Sequence, residues 1–255
     1  MSTHKNFDLV CVVALVFAVL LTLLLSAAGV TKARAQSFTV GDLNYTLSGS
    51  AATVTGHVDG TAATGDLVIP DSVAYNETMY PVTAIANYAF YNCTGFTGEL
   101  TLGANVTSFG NYAFYNCSEL TGSPSIVVTG TIGSGVFSGC SSLTGEITIG
   151  EAVTSIGSDA FTNCSGMTAV HYNAVNCAAP QYYGYNWYCS FEGCGGVLTI
   201  GENVERIPDA MFRNAAFTIE NLVIPNSVTS IGGLSFYHCT GLTGDLTIGD
   251  GVTSI

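Results

Sequence analysis

The chain has little charge and, above all, little positive charge. Charged residues make up 9% of its 255 positions, with five Lys and Arg against 18 Asp and Glu, whereas roughly a quarter of a typical globular sequence is charged. A nucleic-acid partner is therefore not expected, because binding to a phosphate backbone requires a cationic face. Glycine is abundant at 30 residues, and with so few charges this favours short strands and tight turns over amphipathic helices.

Motifs of catalytic and cofactor sites are also lacking. The sequence contains no G-x-S-x-G elbow, no Walker loop and no H-E-x-x-H helix, and its histidines are scattered over different segments. It has no C-x-x-C pair, the spacing typical of zinc sites. We therefore expect a non-enzymatic protein with no catalytic residue, no cofactor and no metal.

The N-terminal segment is the one long apolar stretch. Residues 9–30 carry no charge, Lys5 precedes them, and Ala33 and Ala35 have the spacing of a signal-peptidase site. We expect residues 1–35 to be a secretory signal peptide. The alternative is an uncleaved signal anchor, because a run of this length could span a bilayer. Both alternatives predict a secreted or cell-surface protein, and this segment would contact a membrane only if it stays uncleaved. The rest of the chain carries two basic and 17 acidic residues, a net charge of −15.

A repeat of about 24 residues organises the remainder of the chain. Seven phenylalanines recur at steps of 24, 23, 24, 30, 21 and 24 residues, and a cysteine follows six of them at the third position. The pairs are Phe90 with Cys93, Phe114 with Cys117, Phe137 with Cys140, Phe161 with Cys164, Phe191 with Cys194, and Phe236 with Cys239; Phe212 is followed by Ala215 instead. This regularity indicates a structural rung that every unit repeats.

The apolar spacing within a unit predicts its local structure. The alternation Leu-x-Ile indicates a short strand, Val-x-x-Ile-Gly a turn, and Ala-Phe-x-x-Cys-x-x-Leu a helical or 3₁₀ turn. One unit cannot bury its apolar side alone, but stacked units with parallel strands about 4.8 Å apart can. We therefore predict a solenoid in which the rung cysteines form a buried column and each S–H group serves the turn carbonyls.

The units resemble the BspA-like leucine-rich repeats of bacterial and protozoan surface proteins. The resemblance rests on LVIPNSVTSIGGLSFYHCTGLTG at 222–244, LVIPDSV at 67–73 and the insertion AYNETMYPV at 74–82. It implies a leucine-rich-repeat array of about seven units over residues 65–255, the last incomplete, after a β-rich cap at 36–64. It also implies adhesion to extracellular proteins or to other cells. A targeting arm for an enzyme domain beyond residue 255 and a structural spacer are the alternatives.

The first candidate binding site is an insertion between Cys177 and Cys189. It is rich in aromatic residues and holds the only tryptophan: Tyr182, Tyr183, Tyr185, Trp187 and Tyr188. These side chains either contact an extracellular protein or glycan or seal an irregular coil. The two cysteines either close the loop as a disulfide or remain thiols.

The second candidate is the outward side of the strands. Outward threonines lie between the buried residues, and an acid precedes each strand; the threonines are Thr101, Thr148, Thr199 and Thr247, and the acids Asp66, Glu99, Glu146 and Asp245. Stacking would place a threonine row beside an acidic row. This face is either a binding surface or a hydrated surface that repetition has duplicated.

Overall fold

Short strands and turns make up almost all of the structure. The computed structural model describes residues 36–179 and 189–255, together with the backbone of residues 182–183 and 186–187, but not the side chains of residues 219 and 220. The strands are β1 Gln36–Val40, β2 Leu43–Ser48, β3 Ala51–His57, β4 Leu67–Ile69, β5 Ser72–Tyr75, β6 Thr78–Ile85, β7 Leu100–Leu102, β8 Ser108–Phe109, β9 Ser125–Val128, β10 Glu146–Ile149, β11 Ala169–Tyr172, β12 Tyr182–Tyr183, β13 Asn186–Trp187, β14 Val197–Ile200, β15 Arg206–Ile207, β16 Ile219–Ile224, β17 Ser230–Ile231 and β18 Leu242–Ile248. A 3₁₀ helix at Gly60–Ala62 is the only helix in the described part.

The N-terminal sheet joins the expected cap to the first repeat. Its strands lie in the order β1-β2-β3-β6-β5. Strand β5 pairs with the N-terminal half of β6, and β8 pairs with its C-terminal end. Strands β2 and β3 form an antiparallel hairpin, whereas β3 and β6 are parallel. The segment 74–82 forms most of the antiparallel β5–β6 hairpin. Residues 36–57 thus form three β-strands, and their sheet continues into β6, β5 and β8.

The Leu-x-Ile segments form parallel ladders along one side of the molecule. Strand β4 pairs with β7, and β16 pairs with β18. Between these pairs, the sheet β9-β10-β11-β14 takes one strand from each of four consecutive coils. Equivalent positions lie side by side, so Ile147 is opposite Ile126 and Val170. The result is a β-solenoid of about six turns, which confirms the predicted fold class.

A second set of hydrogen bonds joins the Ala-Phe-x-x-Cys turns of neighbouring coils. The N–H of Phe114 donates to the carbonyl of Val136 and that of Asn116 to Ser138, both at 2.8 Å. The same bonds recur from Phe137 to Ala160 and from Phe161 to Ser190. Each turn is therefore held to the next as regularly as the strands are.

These segments are turns rather than the helical or 3₁₀ pieces that the apolar spacing predicted. The bonds from the N–H of residue i+3 to the carbonyl of residue i are present, as from Cys117 to Phe114 at 3.2 Å. A left-handed residue precedes each cysteine, however, and ends the helical path: Asn116 has φ 58° and Asn163 has φ 59°. Glycine takes this position in other units, as at Gly139, because Asn and Gly adopt this conformation most readily. This backbone requirement explains the asparagine that begins the Asn-Cys-Ser/Thr triplets at residues 92–94, 116–118 and 163–165.

The phenylalanines form one stack through the core. Adjacent ring centroids are 5.2 Å apart for Phe90 and Phe114, and 4.9 Å apart for Phe114 and Phe137. The stack continues through Phe161 to Phe191 at 5.1 Å and ends with the pair Phe212–Phe236 at 5.5 Å. Offset stacking of this kind stabilises the folded state beyond the burial of the rings alone. The stack therefore holds neighbouring coils together along the core.

Candidate binding surfaces

The rung cysteines lie in the core, and four of the six donate to the phenylalanine carbonyl of the preceding coil. The Sγ atoms of Cys117, Cys140 and Cys164 lie 3.0, 3.0 and 3.1 Å from the carbonyls of Phe90, Phe114 and Phe137. Cys239 makes the same bond to Phe212 at 2.9 Å. The structure thus places them in the column that the repeat predicts.

Burial suppresses ionisation of the thiols of Cys93, Cys140, Cys164 and Cys194. Desolvation raises the pKa of Cys93 to about 11 and that of Cys194 to about 12. In the middle of the column it raises the pKa of Cys140 and Cys164 well above the usual value. A thiol must ionise to act as a nucleophile or metal ligand, so these groups are placed for packing and hydrogen bonding.

Cys177 and Cys189 are both buried. Cys177 follows Ala174 as Ile156 follows Val153, so it takes an isoleucine position of the core. The small side chains of Ala174 and Cys177 leave room for Tyr172, which is fully buried at a strand position where other units have isoleucine. The loop-closing disulfide between Cys177 and Cys189 stays a prediction.

Cys189 lies where the inserted segment rejoins the coil. Its Sγ is 4.0 Å from Nη1 of Arg213. Burial raises its pKa, and the neighbouring guanidinium partly offsets this. The thiol thus remains largely neutral at physiological pH.

The aromatic insertion forms a short hairpin. Strands β12 and β13 are antiparallel, with Tyr182 opposite Trp187 and Tyr183 opposite Asn186. The side chains of Tyr182, Tyr183 and Trp187, and all of Tyr185 and Tyr188, lie outside the described residues. The chain leaves the stack after Ala178, whose N–H donates to the carbonyl of Thr154 at 2.7 Å. The insertion is therefore an addition to a regular coil.

The four outward threonines lie on the strand ladders but are not adjacent to one another. In the parallel register Thr101 is next to Val68, and Thr247 is next to Val223. In the four-stranded sheet the outward row is Val127, Thr148, His171 and Thr199. The expected threonine row is therefore a mixed row, because alternate units carry valine or histidine at this position.

The acidic row is likewise interrupted. Glu146 lies between Ser125 and Ala169 in the register of the sheet. The carboxylate of Asp66 accepts a hydrogen bond from the backbone N–H of Glu99 at 2.8 Å, so one of these acids supports the fold. The backbone of Glu99 forms an isolated parallel β-bridge with that of Thr121 in the next coil. The acids therefore do not form one continuous stripe.

A polar cluster centred on His171 was missed by the sequence reasoning. Its Nδ1 is 2.8 Å from the hydroxyl oxygen of Thr199, and its Nε2 is 3.6 Å from Oε2 of Glu146. Alignment of residues 169–172 with the strand at 146–149 would have placed His171 in the outward row. The imidazole thus has a carboxylate on one side and a hydroxyl on the other, on the outward side of the sheet.

Within the described ranges, no three His, Cys, Asp or Glu side chains come together in a way that could hold a metal ion. No helix there is long and apolar enough to cross a membrane. The expected signal segment at residues 1–35 lies outside the described residues.

Comparison with known proteins identifies the repeat. The family model described as "BspA type Leucine rich repeat region" matches six copies, over residues 72–176 and 184–255. No curated protein matches the sequence.

Two crystal structures share the fold. One is a leucine rich cell surface protein from Faecalibacterium prausnitzii, with 24% identity and a TM-score of 0.62 over 86% of this chain and 56% of that one. The other is a leucine-rich repeat protein from T. pallidum, with 20% identity and a TM-score of 0.50 over 83% and 82% of the two chains. The chain thus spans little more than half the length of the first of these proteins.

Proposed function

Because the chain belongs to the family of BspA-type leucine-rich repeat proteins, we propose that it is an exported, non-enzymatic interaction protein that binds an extracellular protein or glycan. The scaffold is a rigid stack of coils whose side chains repeat at strand spacing. Such stacks offer extended surfaces on which neighbouring units act together. Function then depends on the residues that the scaffold presents outward.

The observation that carries the proposal is the outward row of the four-stranded sheet. Val127, Thr148, His171 and Thr199 are side by side in one register. Val127 is 40% exposed, and Val197, which begins strand β14 at the opposite edge of the sheet, is 47% exposed. Methyl groups, hydroxyls and an imidazole thus alternate over a flat area, a composition suited to a partner that is neither purely apolar nor charged.

Export is proposed from the sequence of the first 35 residues and from the family. The similarity to a leucine rich cell surface protein from Faecalibacterium prausnitzii supports it. The remaining chain has a net charge of −15, which favours solubility outside the cell and disfavours anionic surfaces.

The proposal is tested by binding of the full chain, purified in a mild detergent, to a panel of extracellular-matrix proteins and a panel of neutral and acidic glycans. The double variant Thr148→Arg/Thr199→Arg places two large cations in the row. The matched control is Ser141→Arg/Thr154→Arg, which adds the same charge at two exposed positions away from it. We expect at least tenfold weaker binding for the row variant and near wild-type binding for the control.

A second comparison tests the insertion as the binding site. Replacing Trp187 and its tyrosine neighbours by serine removes the aromatic groups while the coil beneath is retained. If this variant loses binding and the row variant does not, the hairpin is the site. If the folded wild-type chain binds no member of either panel, the proposed adhesive function is contradicted.

A further inference from the structure

Four tyrosines form a cluster on the turn side of the first repeats. They come from the two copies of NYAFYNC at 87–93 and 111–117. Tyr88 stacks on Tyr112 with ring centroids 5.4 Å apart, and Tyr91 stacks on Tyr115 at 5.1 Å. Edge contacts at 5.7 Å join Tyr88 to Tyr91 and Tyr112 to Tyr115. We call these four residues the tyrosine cluster.

The cluster lies on the surface and is not part of the core. Tyr88 is 57% exposed, whereas Phe90, two positions later, is completely buried. Tyr88 and Tyr112 also have left-handed backbones, with φ of 58° and 56°. This conformation is costly for an aromatic residue and suits glycine better. Other units have a left-handed residue at this position too, as at Asp159 and Ala210, so the backbone belongs to the turn. The contacts between surface tyrosines are what is typical of a recognition surface.

The cluster ends at a step in the third repeat. The hydrogen bonds that join the turns put Gly135 in the place of Tyr112 and Ser138 in the place of Tyr115. The ring of Tyr112 lies against Gly135 so closely that a Cβ there would be 2.6 Å from it. The Tyr112 ring thus takes the space that a side chain at Gly135 would fill, and only the small side chain of Ser138 takes the place of a further tyrosine ring next to Tyr115.

Two carboxylates lie beyond this step. Asp159 occupies in the fourth repeat the position of Tyr112 and Gly135, and Glu192 follows in the next coil. Burial, and after it repulsion from Glu192, raises the pKa of Asp159. Among the described residues, no basic side chain lies within 4.0 Å of either carboxylate. An added cation would relieve this repulsion.

The same face already shows a guanidinium on a tyrosine. Arg213 and Tyr237 are at the repeat position of Tyr91 and Tyr115, and the guanidinium carbon of Arg213 is 5.6 Å from the centroid of the Tyr237 ring. The planar guanidinium stacks on aromatic rings and pairs with carboxylates, which a lysine ammonium does less well.

We propose that the tyrosine cluster and Asp159 form a docking site for an arginine-bearing segment of a partner protein. A guanidinium stacks on the half-buried rings of Tyr112 and Tyr115, and its remaining N–H groups donate to the Asp159 carboxylate. The acidic surface, with a net charge of −15 beyond residue 35, attracts such a segment from a distance. The site lies on the turns and does not depend on the strand row.

The test is a calorimetric titration of the full chain with an octapeptide of alternating glycine and arginine. Matched peptides carry citrulline, which keeps the shape without the charge, or lysine. The variant Tyr115→Ser introduces the residue found at this position in the third repeat, and Tyr115→Phe keeps the ring. Asp159→Asn removes the carboxylate, and Asp245→Asn removes one elsewhere as the control for net charge. Far-UV circular dichroism establishes that each variant is folded.

We expect the arginine peptide to bind more tightly than the lysine peptide and the citrulline peptide to bind weakly. Tyr115→Ser and Asp159→Asn should each weaken binding about two- to fivefold, as expected for one exposed cation–π contact or one exposed ion pair. Tyr115→Phe and Asp245→Asn should leave it close to wild type.

Equal affinity in all variants would overturn the proposal, because the binding would then come only from the overall negative charge of the protein. Tyr115-dependent binding of a neutral oligosaccharide such as cellohexaose, without binding of the arginine peptide, would overturn it in favour of a glycan site. Loss of binding in the strand-row variants alone concerns the proposed function and leaves this site intact.

Discussion

The thiol of Cys140 is expected to contribute about 2 kcal/mol to the free energy of unfolding. Its Sγ is fully buried and lies 3.0 Å from the carbonyl of Phe114. Replacement by alanine removes that hydrogen bond, whose net value is about 1 kcal/mol. It also leaves a void of about one methyl group, which costs about 1 kcal/mol more. The cost is not larger because Phe114 still accepts a bond from the N–H of Cys117 at 3.2 Å.

Serine at the same position separates the two contributions. Cys140→Ser keeps a donor but is smaller than the thiol, so we expect a loss of about 1 kcal/mol, roughly half that of alanine. Ser235 shows that this face of the core accepts a buried hydroxyl, since its Oγ donates to the carbonyl of Pro208 at 2.8 Å. Ser141→Ala, at the exposed next position, is the control and should change stability by less than about 0.5 kcal/mol.

The assay is urea unfolding followed by far-UV circular dichroism under reducing conditions, with the midpoint and the slope compared between variants. A midpoint that falls in the order wild type, serine, alanine, at constant slope, is the expected result. Midpoints for both variants that equal the wild-type value would refute the reasoning. The cysteine column would then have no role in the hydrogen-bonded core.

Three further predictions concern the scaffold. Asn116→Ala should cost about 1 kcal/mol, because Asn116 has φ 58°, whereas Asn116→Gly should cost little; urea midpoints of the pair decide this, and equal midpoints would contradict it. Gly157→Ala should cost about 1–3 kcal/mol or more, since its Cβ would lie 2.3 Å from the backbone of Gly133; an unchanged melting temperature would count against such tight stacking. Above about pH 8.5 an unfolded thiol ionises, while the pKa of Cys93 and that of Cys239 are raised to about 11 by burial. Stability should be complete below pH 8.5 and fall toward pH 11 by about 1.4 kcal/mol per pH unit for each such thiol; urea midpoints that stay constant from pH 8.5 to 10.5 would show that these thiols are not protected.

The stacking of the repeats was predictable because it depends on spacing. The phenylalanine interval fixes which residues lie above one another, and the coils follow from it. The backbone of the turns was not predictable from apolar spacing. A 3₁₀ helix and a turn that a left-handed residue ends both place residues i and i+3 on the same side, so the spacing does not distinguish them. The signal was the identity of the residue before each cysteine, Asn116 or Gly139 for example, since both types tolerate positive φ.

The outward surface was harder to predict, because it depends on the residues that vary between units. Following only the threonines left out His171 and Val127, which the strand register places next to Thr148. Cys177 was set apart from the core because it lacks the phenylalanine three residues before it. It is buried because Ala174-x-x-Cys177 follows the spacing of Val-x-x-Ile, with the large side chain supplied by Tyr172. Compensation of volume between neighbours of this kind cannot be inferred from one repeat position at a time.

The central claim is that this chain acts by binding through the outward row of its parallel strands. The most direct measurement is the dissociation constant of the full chain for the matrix protein or glycan that it binds, compared between Thr148→Arg/Thr199→Arg and Ser141→Arg/Thr154→Arg. We expect at least a tenfold weaker affinity for the first variant and an unchanged affinity for the second. Equal affinities for the two variants would contradict it.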